Sequence, residues 1–228
     1  MSQPRVLIAG GGGVLGQALV AEFSGAGYAV AALGRTTGRS SAVAKVLELA
    51  CDLRDPAATR DAVARVAADL GPVDVLVYNA AHLVVAPFAE LAQSDFEQAW
   101  RVCVAGAVAC AQAVLPEMLR AARGTLIFTG ATASVRGTAG FAAFACAKFA
   151  LRGLAQSLAR EYQTQGVHVA HVVLDGLLLG SASVQRFGGS DSKTINPADV
   201  ARSYRWLAEQ LPSAWTHELD LRPSSERF

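Results

Sequence analysis

The regular alternation of short apolar runs with longer helix-patterned segments is the feature that most restricts the fold of this 228-residue chain. The apolar runs are rich in Val, Ile and Leu and cover residues 5–10, 28–34, 45–52, 74–80, 124–130, 167–176 and, with an alternating pattern, 215–223. Segments with helical spacing cover residues 15–27, 56–71, 94–122, 141–166 and 197–211. Continuous apolar strands that alternate with helices form parallel sheets covered on both faces. The pattern therefore predicts an α/β fold with a doubly wound, mostly parallel, Rossmann-like sheet.

The chain is predicted to form a single domain over residues 1–228. Its length suits one sizeable domain, and no segment rich in Pro, Gly and Ser separates the strand and helix units. The stretch 177–197 departs from the alternation, since it carries small polar residues and three glycines. A loop of this length is often a mobile lid or a substrate loop, and a poorly ordered surface excursion is the alternative.

A glycine-rich turn joins the first predicted strand to the first predicted helix, in the sequence LIAGGGGVLGQAL. Gly10, Gly13 and Gly16 are spaced by three residues, which lets the backbone approach a pyrophosphate at the N-terminus of the following helix. A plain tight turn is the alternative. Because the turn lies between a strand and a helix of an alternating chain, we expect a dinucleotide site that also includes Val14 and Leu15.

Arg35 ends the second predicted strand, in the sequence ALGR, and no acidic residue accompanies it. A carboxylate at this place would accept hydrogen bonds from the ribose 2′-hydroxyl of NAD, whereas an arginine suits the 2′-phosphate of NADP. A solvated arginine at the start of a loop is the alternative. The sequence favours NADP(H) over NAD(H) as the cofactor.

The composition argues against several other classes of function. The formal net charge is +1, and no block of like charges suggests a nucleic-acid partner. The four cysteines form no CxxC pair and no zinc-finger spacing, so we expect no metal site and a reducing, cytoplasmic location. Four consecutive glycines interrupt the signal-peptide-like run 6–21, and the apolar run 102–115 is too short to span a bilayer. We expect a soluble protein with a small-molecule substrate and no membrane partner.

From the first strand to about residue 222, the chain resembles the short-chain dehydrogenase/reductase family. The resemblance depends on motifs in that family's order, namely the glycine turn, ACDLRD (50–55), DVLVYNAA (74–81), VLPEM (114–118), GTLIFTG (124–130) and a helix containing Lys148. It implies an oxidoreductase with a nicotinamide cofactor. By the same resemblance, the cofactor contacts would also include Asp52, Leu53, Asn79, Ala80, Ala81, Lys148, Asp175 and Gly176.

Three positions depart from the catalytic pattern of this family. Phe144 stands four residues before Lys148, where the family has its catalytic tyrosine, and Ala131 stands where it has its catalytic serine. Cys103 corresponds to the asparagine that orders a relay water in the family. A phenyl ring has no proton to donate, and losing a general acid costs about 10²–10⁴ in rate. The resemblance therefore implies an atypical member that keeps only Lys148 of the four catalytic residues.

Three residues are candidates to replace the missing groups. Thr132 follows the serine position and offers a hydroxyl, unless it only caps the loop after the strand. His82 lies near the expected mouth of the cofactor cleft and has a suitable ordinary pKa, unless it is a solvated loop histidine. Lys148 is a candidate acid itself, because an apolar cleft beside Phe144 should lower its pKa.

Three functions are compatible with these residues. The first is an NADP(H)-dependent reductase or dehydrogenase that acts on a small, largely apolar carbonyl, alcohol, imine or enone through a rebuilt site. The second is an NADP(H)-binding protein without turnover, such as a sensor or a partner subunit. The third is a non-redox enzyme on the same scaffold, such as a dehydratase or an isomerase. The sequence favours the first and does not name its substrate.

The helices predicted at 94–122 and 141–162 carry small apolar residues over more of their circumference than one sheet contact can cover. In the segment 104–114, Val, Ala and Cys occupy nearly every direction, which suggests a second buried face. A two-fold interface between these helices is the simplest way to bury it, and the family resemblance implies the same. We expect a homodimer or a homotetramer built from such dimers.

Overall fold

A computed structural model describes residues 3–38, 45–188 and 194–225 of the chain. Its strands are Arg5–Ala9 (β1), Ala29–Gly34 (β2), Leu47–Ala50 (β3), Val75–Tyr78 (β4), Gly124–Thr129 (β5), Val167–Leu174 (β6), Leu177–Leu178 (β7), Thr194–Ile195 (β8) and Glu218–Leu221 (β9). Within the described residues, a seven-stranded sheet has the order β3-β2-β1-β4-β5-β6-β9, and all its neighbouring strands are parallel. The predicted single-domain, doubly wound α/β fold is confirmed.

Helices cover both faces of this sheet. They are Val14–Gly25 (α1), Pro56–Leu70 (α2), Gln93–Trp100 (α3), Gly106–Arg120 (α4), Ala142–Tyr162 (α5), Ala182–Phe187 (α6) and Pro197–Ala208 (α7). Side chains of α1 and α7 share one apolar core with the sheet, and those of α2, α4 and α5 share the other. Every residue of β4, β5 and β6 is buried, as expected for central strands between two helical layers.

Two of the helices begin where the sequence provides a cap. Asp55 precedes α2, and its carboxylate accepts hydrogen bonds from the backbone N–H groups of Ala57 and Ala58. Asn196 precedes α7, and its side chain accepts from the backbone of Ala198. A proline follows each capping residue, at the first helical position, where its missing N–H is not needed.

The segment predicted as one helix at 94–122 contains a π-helical turn at Arg101–Ala105, between α3 and α4. The buried hydroxyl of Tyr78 on β4 donates a hydrogen bond to the carbonyl of Val102 in this turn. Gly106 lies against the same tyrosine, and a Cβ there would lie 2.6 Å from the carbonyl oxygen of Leu53. A carbonyl of the helix thus accepts a hydrogen bond from a side chain of the sheet, where the backbone is π-helical instead of α-helical. Helical periodicity in the sequence cannot reveal this contact.

The helical segment Gln93–Arg120 is long and apolar enough, by length and composition, to cross a membrane, and the most apolar window has a mean hydropathy of 1.7. The helix is therefore longer than the run 102–115 considered in the sequence. Half of that window is buried inside the fold. Ala107, Cys110, Ala111 and Val114 pack in the core with the sheet, so contacts within the protein account for much of its apolar character.

The stretch 177–197 is more regular than the predicted loop. β7 and β8 form a short parallel pair, and α6 lies between them, while residues 189–193 lie outside the described residues. Ile195 of β8 is buried in the core that contains α7, which ties the second strand of the pair to the domain. The predicted irregularity is wrong for these elements, and a lid role for the stretch stays a prediction.

Candidate functional site

A cavity of about 530 Å³ opens at the carboxyl ends of β1, β2 and β4, where the strand order reverses. Crevices at such a reversal are the usual ligand sites of doubly wound sheets. The cavity is lined by the glycine turn, the ends of β2 and β4, and the segment after β3, with Gly10, Gly12, Gly13, Val14, Leu15, Gly34, Arg35, Thr36, Cys51, Asp52, Leu53, Arg54, Asn79, Ala80, Ala81, His82, Gln98, Val102, Leu178 and Ser181.

The glycine turn has the close approaches that its spacing predicts. Gly10 has a φ of +97°, and a Cβ there would lie 2.6 Å from the backbone nitrogen of Ala80. A Cβ on Gly16 would lie 2.6 Å from the carbonyl oxygen of Gly11, so this glycine lets α1 pack against the turn. Gly13 caps α1, and a Cβ there would meet nothing within 4 Å. An open cradle at a helix N-terminus fits the pyrophosphate of a dinucleotide.

Charged residues line the far end of this cavity, beyond β2 and β3. Arg35 is exposed there, close enough for its charge to favour ionised Asp52. The carboxylate of Asp52 accepts hydrogen bonds from Nε of Arg54 at 2.9 Å and from a terminal nitrogen at 2.6 Å. These bonds are the main reason why the pKa of Asp52 is below its usual value. Sequence reasoning missed Arg54 as a site residue, although it belongs to the quoted motif ACDLRD.

A second cavity of about 640 Å³ adjoins the first, and both are lined by Asn79, Ala81, Leu178 and Ser181. Most of its wall is apolar, while a smaller polar part comes from the loop after β5 and the end of β6. Its other lining residues are Leu83, Thr129, Gly130, Ala131, Thr132, Ala133, Arg136, Thr138, Phe141, Phe144, Lys148, Leu174, Asp175, Gly176, Leu177, Ser183, Phe187 and Gly188.

Lys148 is buried on α5, and its Nζ donates a hydrogen bond of 2.6 Å to the carbonyl oxygen of Thr129. The same Nζ lies 5.6 Å from the centre of the Phe144 ring. Burial lowers the pKa of Lys148, and the nearby Cys103 partly opposes this shift. The predicted lowering of the lysine pKa is therefore found, with burial as its main cause.

Thr132 lines the second cavity, but its hydroxyl donates a hydrogen bond of 2.5 Å to Oδ1 of Asp175. The other carboxylate oxygen of Asp175 lies 3.4 Å from a terminal nitrogen of Arg222. The threonine proton is thus already engaged by Asp175. This contact joins residues 43 positions apart, and no local sequence signal indicated it.

The predicted site residues divide between the two cavities. Among the catalytic candidates, Thr132 and Lys148 line the second cavity, whereas His82 lines the first. Phe144 and Ala131 also line the second cavity, while Cys103 is buried in the π-helical turn beside the base of α5. Of the expected cofactor contacts, Gly16 is buried behind the turn. Lys148, Asp175 and Gly176 line the second cavity, and the remaining contacts line the first.

Residues 4–182 match the short chain dehydrogenase family. D-threitol dehydrogenase of Mycolicibacterium smegmatis is 28% identical over 171 residues, which cover 72% of this chain and 66% of that enzyme. The match thus spans slightly less than two thirds of that relative's own length. The solved structure of a short-chain dehydrogenase from Rhodopseudomonas palustris is 29% identical, with a TM-score of 0.84 over 98% of this chain and 100% of that one.

A metagenomic short-chain oxidoreductase, solved in complex with NADP, has the same fold. It is 24% identical, with a TM-score of 0.84 over 98% of this chain and 98% of that one. The family match covers well over half of the residues. The chain belongs to the short-chain dehydrogenase family.

Proposed function

We propose that the protein is an NADP(H)-dependent oxidoreductase that acts on a small, largely apolar carbonyl or alcohol through a rebuilt catalytic site. The observation that carries this proposal is the junction of the two cavities at Asn79, Ala81, Leu178 and Ser181. The first cavity has a glycine cradle and cationic residues, which suit a dinucleotide. The second offers an apolar chamber with a buried amine, which suits the apolar body of a substrate beside a proton donor.

In this proposal the first cavity holds the cofactor. Gly10, Gly13 and the N-terminus of α1 would receive the pyrophosphate, because unpaired backbone N–H groups there favour anions. Arg35 would bind the 2′-phosphate, while Asp52 and Leu53 would flank the adenine. When it is bound, the nicotinamide supplies or accepts the hydride.

Lys148 is the proposed proton donor. A charged amine carries three protons, and the carbonyl of Thr129 takes one, so the others remain for a substrate oxygen. Burial brings the pKa of Lys148 down towards the working range of a general acid. Thr132 is the proposed second donor, provided that its hydroxyl turns from Asp175. His82 follows Ala81 at the junction of the cavities and is the proposed third candidate.

An NADP(H)-binding protein without turnover is the second candidate function. It is favoured by one observation, namely that the Thr132 hydroxyl already donates a hydrogen bond to Asp175. Phe144 and Ala131, which line the same cavity, have no hydroxyl to replace it. In this reading the departures at Phe144, Ala131 and Cys103 mark a site that binds cofactor and lacks a proton relay.

Single-turnover oxidation of bound NADPH separates the two candidates. The protein is saturated with NADPH and mixed with a panel of ketones, aldehydes, imines and enones, while the reduced nicotinamide absorbance is followed. We expect oxidation with an apolar member of the panel, and a fall of about 10²-fold or more in Lys148→Met, as for loss of a general acid. The exposed Lys45→Met is the matched control. If the wild type binds NADPH and no panel member oxidises it, the protein binds cofactor without turnover.

We also propose a cytoplasmic location. Cys51, Cys103, Cys110 and Cys146 are all free thiols, as expected in a reducing compartment. Fractionation of the native source followed by immunodetection tests this location, and recovery with membranes or in a secreted fraction would contradict it.

A further inference from the structure

We infer that the second cavity takes an apolar ligand that carries a carboxylate, and that Arg136 binds this carboxylate. The inference deepens the proposed function, because it names the chemical class of the substrate for the same site. It depends on three features of the cavity. They are its aromatic wall, the polar partners that both oxygens of Asp175 already have, and the guanidinium N–H groups of Arg136 that donate no hydrogen bond within the described residues.

The apolar end of the cavity has a wall of aromatic rings. The ring centres of Phe141 and Phe187 are 5.9 Å apart, and Phe144 lines the same chamber. Phe187 is held from outside by Arg186, whose guanidinium lies 5.6 Å from the ring centre and donates a 3.0 Å hydrogen bond to the carbonyl of Val85. This wall suits the flat or branched apolar body of a ligand, and it leaves polar recognition to the other end.

At the polar end, both carboxylate oxygens of Asp175 already have polar partners. One of its oxygens accepts the Thr132 hydroxyl, and the other faces Arg222 at 3.4 Å. Arg136 approaches Asp175 only at 3.8 Å, which is too long for a hydrogen bond. Asp175 therefore provides Arg136 with weak charge compensation and no direct hydrogen bond.

The guanidinium N–H groups of Arg136, which lines the cavity, are available to a ligand. Within the described part of the chain, its guanidinium donates no hydrogen bond, and 56% of its side chain is exposed. Its planar fork of N–H groups matches a carboxylate in two parallel hydrogen bonds, which are charge-assisted. A neutral ligand could accept hydrogen bonds from these donors but would bring no negative charge to pair with the guanidinium. An apolar acid would fill the aromatic end and the cationic end together.

Equilibrium binding of matched acids and amides tests this inference without any turnover. The probes are phenylacetate, hydrocinnamate and phenylbutyrate, each beside its primary amide, so that three chain lengths between the ring and the carboxylate are compared. Each probe is titrated calorimetrically into the protein, with and without saturating NADPH. We expect at least one acid to bind about tenfold tighter than its amide, which is the lower range for a charge-assisted pair at a partly exposed site.

Two variants assign the preference to Arg136. Arg136→Gln should bind the acid and its amide equally. Arg202→Gln removes an equally exposed arginine on α7, which pairs with Asp199, and should keep the preference. Three results would overturn the inference: equal binding of acid and amide by the wild type, a preference that persists in Arg136→Gln, or no binding of any acid at millimolar concentration.

The failure of this inference and the failure of the proposed function give different results. A protein that binds the acids through Arg136 but never oxidises NADPH in single turnover refutes the oxidoreductase proposal and leaves the carboxylate site in place. A protein that oxidises NADPH with neutral ketones but shows no preference for acids refutes the carboxylate site alone.

Discussion

At the scale of single residues, burial and partners decide which groups remain available for chemistry. Lys148 is buried beside the second cavity and has a lowered pKa, while the Thr132 hydroxyl donates a hydrogen bond to Asp175. His171 on β6 is fully buried behind Gly130, and its Nδ1 lies 3.3 Å from a carboxylate oxygen of Glu218, in an orientation that falls short of a hydrogen bond.

The first residue-scale prediction concerns the choice of nucleotide. We expect the wild type to bind NADPH at least several-fold tighter than NADH, and Arg35→Ala to erase the difference. The reason is that the 2′-phosphate would lose a charge-assisted partner worth about 1.5–3 kcal/mol. Fluorescence titration with both nucleotides measures this. Equal affinities in the wild type would contradict the preference for NADP(H).

A second prediction concerns the two departures in the second cavity. Phe144→Tyr and Ala131→Ser should each do little alone, because groups that act as a unit are strongly non-additive. Together they should create carbonyl reduction far above the sum of the single changes, since Lys148 lies one helical turn from the new hydroxyl. Kinetics on a generic ketone with NADPH compare the single and double variants. A folded, NADPH-binding double variant with no gain would show that the cavity is not arranged for the family's chemistry.

A third prediction concerns stability at low pH. Burial is the main reason why the pKa of His171 falls to about 4 in the folded protein, whereas an unfolded histidine titrates near 6.5. The unfolded chain therefore binds the extra proton first as the pH falls. This contribution to stability is complete above about pH 6.5 and is lost as the pH falls through about 4, by up to about 3 kcal/mol.

Urea unfolding between pH 7.5 and pH 4 measures this loss. His171→Gln cannot titrate and should show a shallower fall over the same window. The charged groups that act on His171 are Glu218, Lys148 and Arg152, so Glu218→Gln is the second comparison. If His171→Gln and the wild type lose stability in parallel, the histidine is not the cause.

At the scale of elements, the π-helical turn at Arg101–Ala105 shows how the sheet shapes a helix that borders the first cavity. Val102 lines that cavity, and its carbonyl accepts the hydrogen bond from the buried Tyr78 hydroxyl. The strand β4 thus determines the position of the segment that connects α3 to α4. Without the tyrosine donor, a regular α-helical turn would compete for this carbonyl.

Tyr78→Phe tests this link between strand and helix. Removal of one buried donor leaves its acceptor unsatisfied, so we expect a loss of about 1–3 kcal/mol in the free energy of unfolding. Urea denaturation measures the loss, and NADPH titration reports any change in the cavity. Tyr204→Phe is the matched control, because its buried hydroxyl donates to the Thr129 side chain, away from the turn. It should lose a similar amount of stability, and an unchanged stability of Tyr78→Phe would contradict the role of this hydrogen bond.

At the scale of the whole molecule, one outer face of the helical layer is apolar and open. A shallow groove of about 300 Å³ runs between α3 and α5, lined by Phe96, Glu97, Trp100, Arg101, Ala143, Cys146 and Ala147. Trp100 is 51% exposed, although tryptophan is usually well buried. A surface of this kind suits a two-fold contact between copies of the chain.

The expected assembly is a homodimer or a tetramer of such dimers, with this face at the two-fold interface. Trp100→Arg should shift the protein to monomers in sedimentation velocity at micromolar concentration. Trp206 on α7 is 52% exposed on the other helical layer, and Trp206→Arg should leave the assembly intact. A monomeric wild type, or dissociation by the second substitution alone, would contradict this interface.

The sequence by itself determined the order of elements, the doubly wound parallel sheet and the glycine cradle. These features follow from local rules, because apolar periodicity reports burial and glycine reports close backbone approach. Arg35 could be assigned to the site from its place at the end of the second predicted strand, whereas Asp52 and Asn79 were assigned through the family resemblance. All three line the first cavity.

Only the tertiary structure decided which side chains face each other. The Thr132 hydroxyl donates a hydrogen bond to Asp175, and the Tyr78 hydroxyl donates one to the carbonyl of Val102. Arg136 lies beside the Asp175 carboxylate without a hydrogen bond to it. Each of these facts depends on distances between atoms that lie far apart in the chain. Periodicity encodes the face of an element that is buried, but the partner of a polar group is set only when the folded backbone brings donors and acceptors together.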